Sequence, residues 1–379
     1  PDPPIWRLRV FNPTAPVNEQ LAYYSDLFMF IAALVYAGAF ILFAVDMATA
    51  SVTIRRLEAE LDAQAGVDRD VASRVRERQL AGVGAGSGVG TPAGGAHALG
   101  TDVSASSAGR SDAELVDDDM DYTGAGRRPV ANVAVAVLAV GWALHAFAVV
   151  ARGVAASRVP WGNLYEFMTT GALVIVTVYL AFLIRKDLRF VGTFVSGLVV
   201  AMMCAATMGF PTPVGHLQPP LQSGWLVIHV SIAVLSSSLF ALSAAMSALQ
   251  LLQGSAEKRA AAGRRGWSFL RLVPSARALE NWSYRINAVG FVMWTFTLIA
   301  GAIWAEAAWG RYWNWDTKEV WTFVIWVVYA AYLHARATRG WTGTRAAWLS
   351  ITGFLCIVFN YTIVNTFFPG LHSYAGLPA

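Results

Sequence analysis

The sequence predicts an all-α, polytopic membrane protein with about eight transmembrane helices and both termini on the external side. Three observations carry that expectation. Hydrophobic residues make up 56% of the 379 residues, charged residues only 14%, and mean hydropathy is +0.48. An ordinary soluble domain carries about 25% charge. Apolar runs recur at close to the roughly 20-residue length that a spanning helix needs. Lys and Arg crowd alternate connections between those runs, as expected for loops retained in the cytoplasm.

The elements follow in order. Residues 1–23 form an external tail in which no cleavable signal peptide is read. The first span is Tyr24–Asp46. Residues 47–128 then depart from the rest of the chain: Val52–Leu80 is charged and continues the first helix into the cytoplasm, followed by GVGAGSGVG (Gly82–Gly90) and an acidic run at Asp117–Asp121. The glycines match neither GxGxxG nor GxxxxGK[ST], and no strand precedes them. Such a composition cannot bury enough apolar area to offset its ordering entropy. The insert 47–128 is therefore read as a flexible cytoplasmic linker, with His97 a solvated bystander.

Residues 129–374 form one transmembrane core with spans at Pro129–Ala151, Leu164–Ile184, Phe190–Met208, Trp225–Leu252, Ile286–Trp304, Val320–Ala335 and Ala346–Phe368. The seventh span is short; Trp321 and the flanking loops are what mark it. Residues 375–379 are an external tail. Arg185, Lys186 and Arg189 follow the third span; Lys258, Arg259, Arg264, Arg265, Arg271, Arg277 and Arg285 follow the fifth; Arg336, Arg339 and Arg345 follow the seventh. The segment Gly209–Gly224 has no Lys or Arg at all. The net charge of +4 is thus topological and implies no nucleic-acid partner. Cys204 and Cys356 both fall inside spans without a CxxC, so thiol redox chemistry by this chain is not expected.

The chemistry concentrates in the external loop 304–321, at WGRYWNWDTKEVW (Trp309–Trp321). Tryptophan favours membrane interfaces, which accounts for one or two indoles per helix end. An aromatic belt alone does not account for four indoles interleaved with Asp316, Lys318 and Glu319. Two histidines share that side of the membrane: His229, one turn into the fifth span, and His372, after the eighth. Flat indole faces with paired imidazoles suit a flat, apolar, metal-centred ligand such as haem. Arg311, Lys318 and indole N–H groups are at hand for its carboxylates.

Two other classes stay open on these residues. One is a membrane glycosyltransferase using lipid-linked sugars, which also carries external Trp and Asp. The other is a secondary transporter, which would place ionisable groups at mid-membrane and break helices in repeated halves. The remaining histidines are less informative. His145 lies about 9 Å from the outer end of the second span and His334 about 22 Å deeper than Glu319, at 1.5 Å per residue. One iron cannot bind both on straight helices. His145 is read as a packed histidine and His216 as a loop residue.

The ordered segment from Asn287 to Gly343, together with PWGNLYEF (Pro160–Phe167), PPLQSGWLVIHVS (Pro219–Ser231) and VNTFFPGLHSY (Val364–Tyr374), resembles the CcsA/ResC family of system II cytochrome c biogenesis. The composition looks actinobacterial. The resemblance implies a haem-handling subunit in the bacterial plasma membrane, part of a holocytochrome c synthase of haem lyase type. It would bind haem b and present it to the CxxCH thiols of apocytochrome c. A ResB-type membrane partner and nearby thiol-reducing, thioredoxin-like proteins are implied as well. By the same resemblance, His229 and His372 match external axial haem ligands and His334 a deeper intramembrane ligand. Trp309, Gly310, Tyr312, Trp313, Trp315, Asp316, Lys318 and Glu319 match the haem loop. Asp316 and Glu319 are expected to orient that loop by bonding an imidazole or pairing Lys318. The sequence departs from the family pattern at Thr317, where the family usually has proline, and in the long insert.

Overall fold

The computed structural model describes residues 16–83, 118–122, 128–264, 267–368 and 370–372. The outermost tails, the glycine-rich stretch beyond Val83 and His97 lie outside them. The described residues are helical, and eight of the helices are long and apolar enough to cross a membrane. Helix α1 (Glu19–Val83) runs 65 residues, of which Glu19–Thr49 is the apolar part. It is followed by α2 (Pro129–Ala155), α3 (Leu164–Leu183), α4 (Gly192–Cys204), α5 (Gly224–Ala261), α6 (Ala276–Trp309), α7 (Thr317–Arg339) and α8 (Thr344–Phe359). π turns at Ala205–Gly209 and Asn360–Val364 extend α4 and α8.

Local chemistry sets the helix ends. Pro129 opens α2, where a missing N–H costs nothing. Asn163 caps α3 by accepting from Glu166 N–H at 2.9 Å, and Ser275 caps α6. Gly310 closes α6 at φ 71°, in the left-handed region that glycine enters freely. The seventh helix is longer than the expected Val320–Ala335. A capping box of Asp316 and Glu319 moves its start back into the tryptophan-rich loop.

Successive helices run antiparallel, so the bundle has a loop end, where α6 meets α7, and a base. The most extensive pairings are α1 with α2 and α5 with α6. At the loop end a buried ion network ties three helices together. Arg152 Nε bonds Glu166 Oε1 at 2.9 Å, Arg158 Nη1 bonds Glu166 Oε2 at 2.7 Å, and Arg152 also reaches Asp26 at 3.2 Å. Burying Arg152, Arg158 and Glu166 is tolerable because each carries hydrogen bonds to several partners, while Asp26 stays half exposed.

The base holds a second ion-paired layer: Arg128 with Asp46, Arg189 with Asp187, and Arg336 with Glu280. The acidic run expected within the flexible linker is, at its end, docked here. Met120 is fully buried, Asp187 N–H donates to its carbonyl at 2.6 Å, and Tyr122 Oη donates to Leu183 O at 2.7 Å. Asp118 accepts from Ser275 N–H and Oγ at 3.0 and 2.9 Å. Residues 118–122 therefore clasp the α3–α4 turn to the start of α6. One apolar side chain and a set of hydrogen bonds supply what composition alone did not suggest.

Candidate functional site

A cleft opens at the loop end, lined by α3, α5, α6, α7, α8 and the tryptophan-rich loop. It is partly open to the outside, and its lining is mostly apolar and aromatic. Trp294 of its lining packs in an apolar cluster with Phe240, Ile325, Tyr329 and Ile357.

His229 and His372 both line this cleft. His229 Nδ1 lies 2.9 Å from the Thr297 carbonyl oxygen. A carbonyl only accepts, so Nδ1 carries the proton and Nε2 keeps its lone pair. The ring lies directly against Gly301 of α6: a Cβ there would come within 2.7 Å of the imidazole. Thr297 and Gly301, one turn apart on α6, thus bond and seat the same ring.

His372 is held from the other side. Its Nδ1–H donates to Asp316 Oδ2 at 2.7 Å and its backbone N–H to the same oxygen at 3.2 Å. Nε2 again remains as the lone-pair nitrogen when the ring is neutral. A carboxylate bonded to the far nitrogen is the usual way a protein fixes the tautomer and direction of a metal-binding histidine. Burial pushes the Asp316 carboxyl up, but the hydrogen bond and charge of His372 outweigh it and hold the group below the ordinary carboxylate range. The Thr317 N–H adds to the donors around that carboxylate, a bond that proline at this position cannot make.

One indole joins the two rings. Trp304, 2% exposed, stacks on His229 with ring centres 5.8 Å apart and meets His372 edge-on at 5.5 Å. Its Nε1 donates to Pro220 O at 3.1 Å, which fixes its plane. Trp309 packs edge-on against both His372 and Trp304, at 4.9 and 4.8 Å.

The loop residues divide. Tyr312, Trp313, Lys318 and Glu319 line the cleft. Glu319 Oε2 accepts the N–H groups of Asn314 and Asp316 at 2.8 and 3.1 Å, so it shapes the loop. Lys318 Nζ donates to Asn365 Oδ1 at 2.6 Å and does not pair with Asp316, which His372 occupies. Trp315, at φ 59°, is 74% exposed and touches Trp313 edge-on outside the cleft. Gly310 and the exposed Arg311 do not line it either. Trp321 packs on Phe359.

The other histidines lie elsewhere. His334 is exposed on α7, about 22 Å along the helix from Glu319. His145 is fully buried between α1 and α2, with Tyr36 Oη 3.2 Å from its Nδ1. His216 is exposed on the loop before α5. Sequence reasoning did not single out Thr297, Gly301, Trp304, Trp161, Asn360, Tyr361 or Asn365 as site residues. The first three follow a helical spacing of four and three on α6, a signal visible only once the face opposite His229 is known.

The residues present fit a haem group. Two imidazole rings, each with Nδ1 already bonded, and three indoles line one mostly apolar cleft. Trp161, also in the lining, has a buried indole N–H without a partner. Among the described residues no group of three or more His, Cys, Asp or Glu side chains gathers as a metal cage.

Residues 161–372 match the model of the cytochrome C assembly protein family. Cytochrome c biogenesis protein CcsA of Guillardia theta is 36% identical over 243 residues, 60% of this chain and 80% of the relative. The CcsA of Prochlorococcus marinus is 34% identical over 258 residues, 61% of this chain and 80% of the relative. That of Trichormus variabilis is 32% identical over 290 residues, 59% of this chain and 83% of the relative. The family match covers more than half of this chain, including every residue that lines the cleft, and with these relatives it leads to one conclusion: the chain is a multi-pass membrane protein that belongs to the cytochrome c assembly protein family, as a homologue of CcsA.

Proposed function

We propose that this chain is the haem-handling subunit of a cytochrome c synthase, and that His229 and His372 would hold the iron of haem b in the cleft. The observation that carries this reading is the pair of anchored imidazoles. Each commits Nδ1 to a fixed acceptor, Thr297 O or Asp316 Oδ2, and each leaves Nε2 for the cleft. Haem, when bound, supplies the iron and the vinyl groups that the CxxCH thiols of apocytochrome c take up.

The chain's own residues do the holding. Trp304, Trp313 and Tyr312 give the flat walls. Asp316 and Thr297 keep both imidazoles in the tautomer that can bind iron. The apolar cluster around Trp294 excludes water on its side of the cleft. His229 is seated against Gly301 inside the bundle, whereas His372 lies beyond α8 in a short surface segment, 18% exposed at its side chain. Of the two residues that would hold the haem, His372 would therefore be the more readily displaced by the histidine of CxxCH. The thiols come from the substrate, in keeping with Cys204 and Cys356, which both lie in spans away from the cleft.

The basic residues at the base support an orientation with the loop end outside the cell. A ResB-type partner and thiol-reducing proteins at that face complete the assembly. His334, exposed on α7, is in reach of a partner helix or a second haem, but not of the first haem.

The test is purification. The chain with its ResB-type partner is expected to carry haem, seen as a Soret band at close to one haem per cleft. A colourless preparation that takes up no added haem contradicts the reading. Orientation is checked by Tyr312→Cys, which is expected to react with an impermeant thiol reagent from outside intact cells.

A further inference from the structure

We infer that the cleft has a built carboxylate-binding side, formed by Lys318 and Trp161, which grips the ligand's propionate groups. The inference rests on the haem reading above and deepens it. Lys318 is the cation of the cleft lining, and its ammonium has no carboxylate partner among the described residues. It donates to the neutral Asn365 Oδ1 at 2.6 Å and sits 5.6 Å from the centre of the Tyr361 ring. Ionised Lys in an apolar surround is costly without an anion.

The two acids beside it do not serve. The Asp316 carboxylate is taken by the imidazole and backbone of His372, and Glu319 by two backbone N–H groups. The Trp161 indole N–H, also in the cleft lining, is buried with no acceptor among the described residues. A buried N–H of that kind costs about as much as a lost hydrogen bond, so an acceptor on the ligand is what it calls for.

The two donors belong to one corner of the cleft. Tyr361, under Lys318, stacks on Phe167 of α3 at 4.2 Å, and Phe167 follows Trp161 by six residues across the Asn163 cap. Imidazoles and indoles around Trp304 take the iron and ring; the Lys318–Trp161 corner takes the charge. This arrangement gives haem one orientation in the cleft rather than several.

The probes are haem and haem dimethyl ester, in which both carboxylates are blocked, titrated into the purified full chain and read by absorption. Haem is expected to bind at least about tenfold more tightly than the ester, the worth of one charge-assisted hydrogen bond. Lys318→Gln and, separately, Trp161→Phe are expected to shrink that preference while the two-imidazole spectrum persists. Equal affinity of the wild-type protein for both probes overturns the inference, and so does a preference that survives Lys318→Gln unchanged. If neither probe binds, the haem reading itself fails and this subsite with it. The comparison of two probes on one folded protein does not depend on any variant folding.

Discussion

Two regions of the molecule present a histidine to an aromatic ring with nearly the same local geometry, and only one of them looks like a binding site. In the α1–α2 interface His145 meets Tyr36 edge-on at 5.6 Å. In the cleft His372 meets Trp304 edge-on at 5.5 Å. Both rings have Nδ1 within hydrogen-bond distance of an oxygen. The difference is the other nitrogen. His145 Nε2 is buried among packed helices with no hydrogen-bond partner among the described residues, whereas Nε2 of His229 and His372 belongs to rings that line an open cleft. Burial and an aromatic neighbour therefore do not identify a ligand; a fixed Nδ1 with space before Nε2 does.

That contrast is tested most strongly by removing each ring. His229→Ala or His372→Ala is expected to lower bound haem at least tenfold, and exogenous imidazole is expected to restore it. His145→Phe is expected to leave haem per molecule and the absorption spectrum as in the wild type, although it strands the Tyr36 hydroxyl at a cost of about 1–3 kcal/mol in stability. Equal loss in all three variants would erase the distinction between the regions.

Asp316→Asn, which keeps the shape and removes the charge, is expected to weaken haem binding about 10–100-fold, the usual effect of losing an outer-shell carboxylate. The pH dependence has a definite sign. A carboxyl whose folded pKa is held below its unfolded value of about 3.9 contributes stability that is fully present above that value and is lost as pH falls through the folded pKa. Acid release of His372 is thus expected only below the ordinary Asp range as far as Asp316 governs it. An Asp316→Asn protein should lose that acid-sensitive phase in a pH titration of haem binding.

Gly301→Ala is smaller still. The added methyl meets His229 and pushes the ring off its seat, so a shifted spectrum with about tenfold weaker binding is expected, rather than loss.

Much of this was legible in the sequence. The spans showed as apolar runs because a bilayer imposes length and hydropathy on each helix separately. Motif and expected side of the membrane pointed to His229, His372 and the tryptophan-rich loop, and the fold brings both histidines, Tyr312 and Trp313 to one cleft. What was not legible depends on which helices lie side by side. Thr297, Gly301 and Trp304 read as ordinary residues of an apolar helix until α5 is packed against them. Trp161 stood inside a recognised motif without a role. The left-handed φ of Trp315 turns its ring out of the cleft, and no propensity predicts that for tryptophan.

The insert supplied the other surprise, since Asp118–Tyr122 is docked although its neighbourhood reads as linker. The smallest effect expected follows from that clasp. Deleting residues 84–117 with a short Gly/Ser bridge should leave haem content and cytochrome c maturation near wild type. Extending the deletion through Tyr122 should lower the thermal midpoint by several degrees, because Met120 and the Asp118 cap are lost.

The most direct measurement is low-temperature electron paramagnetic resonance of the oxidised, haem-loaded wild-type protein. Two anchored neutral imidazoles on one iron predict a low-spin signal of bis-histidine type, converted to a different ligand signature in His372→Ala and returned by added imidazole. A high-spin signal in the wild-type protein, or a bis-histidine signal unchanged in both His229→Ala and His372→Ala, contradicts the account.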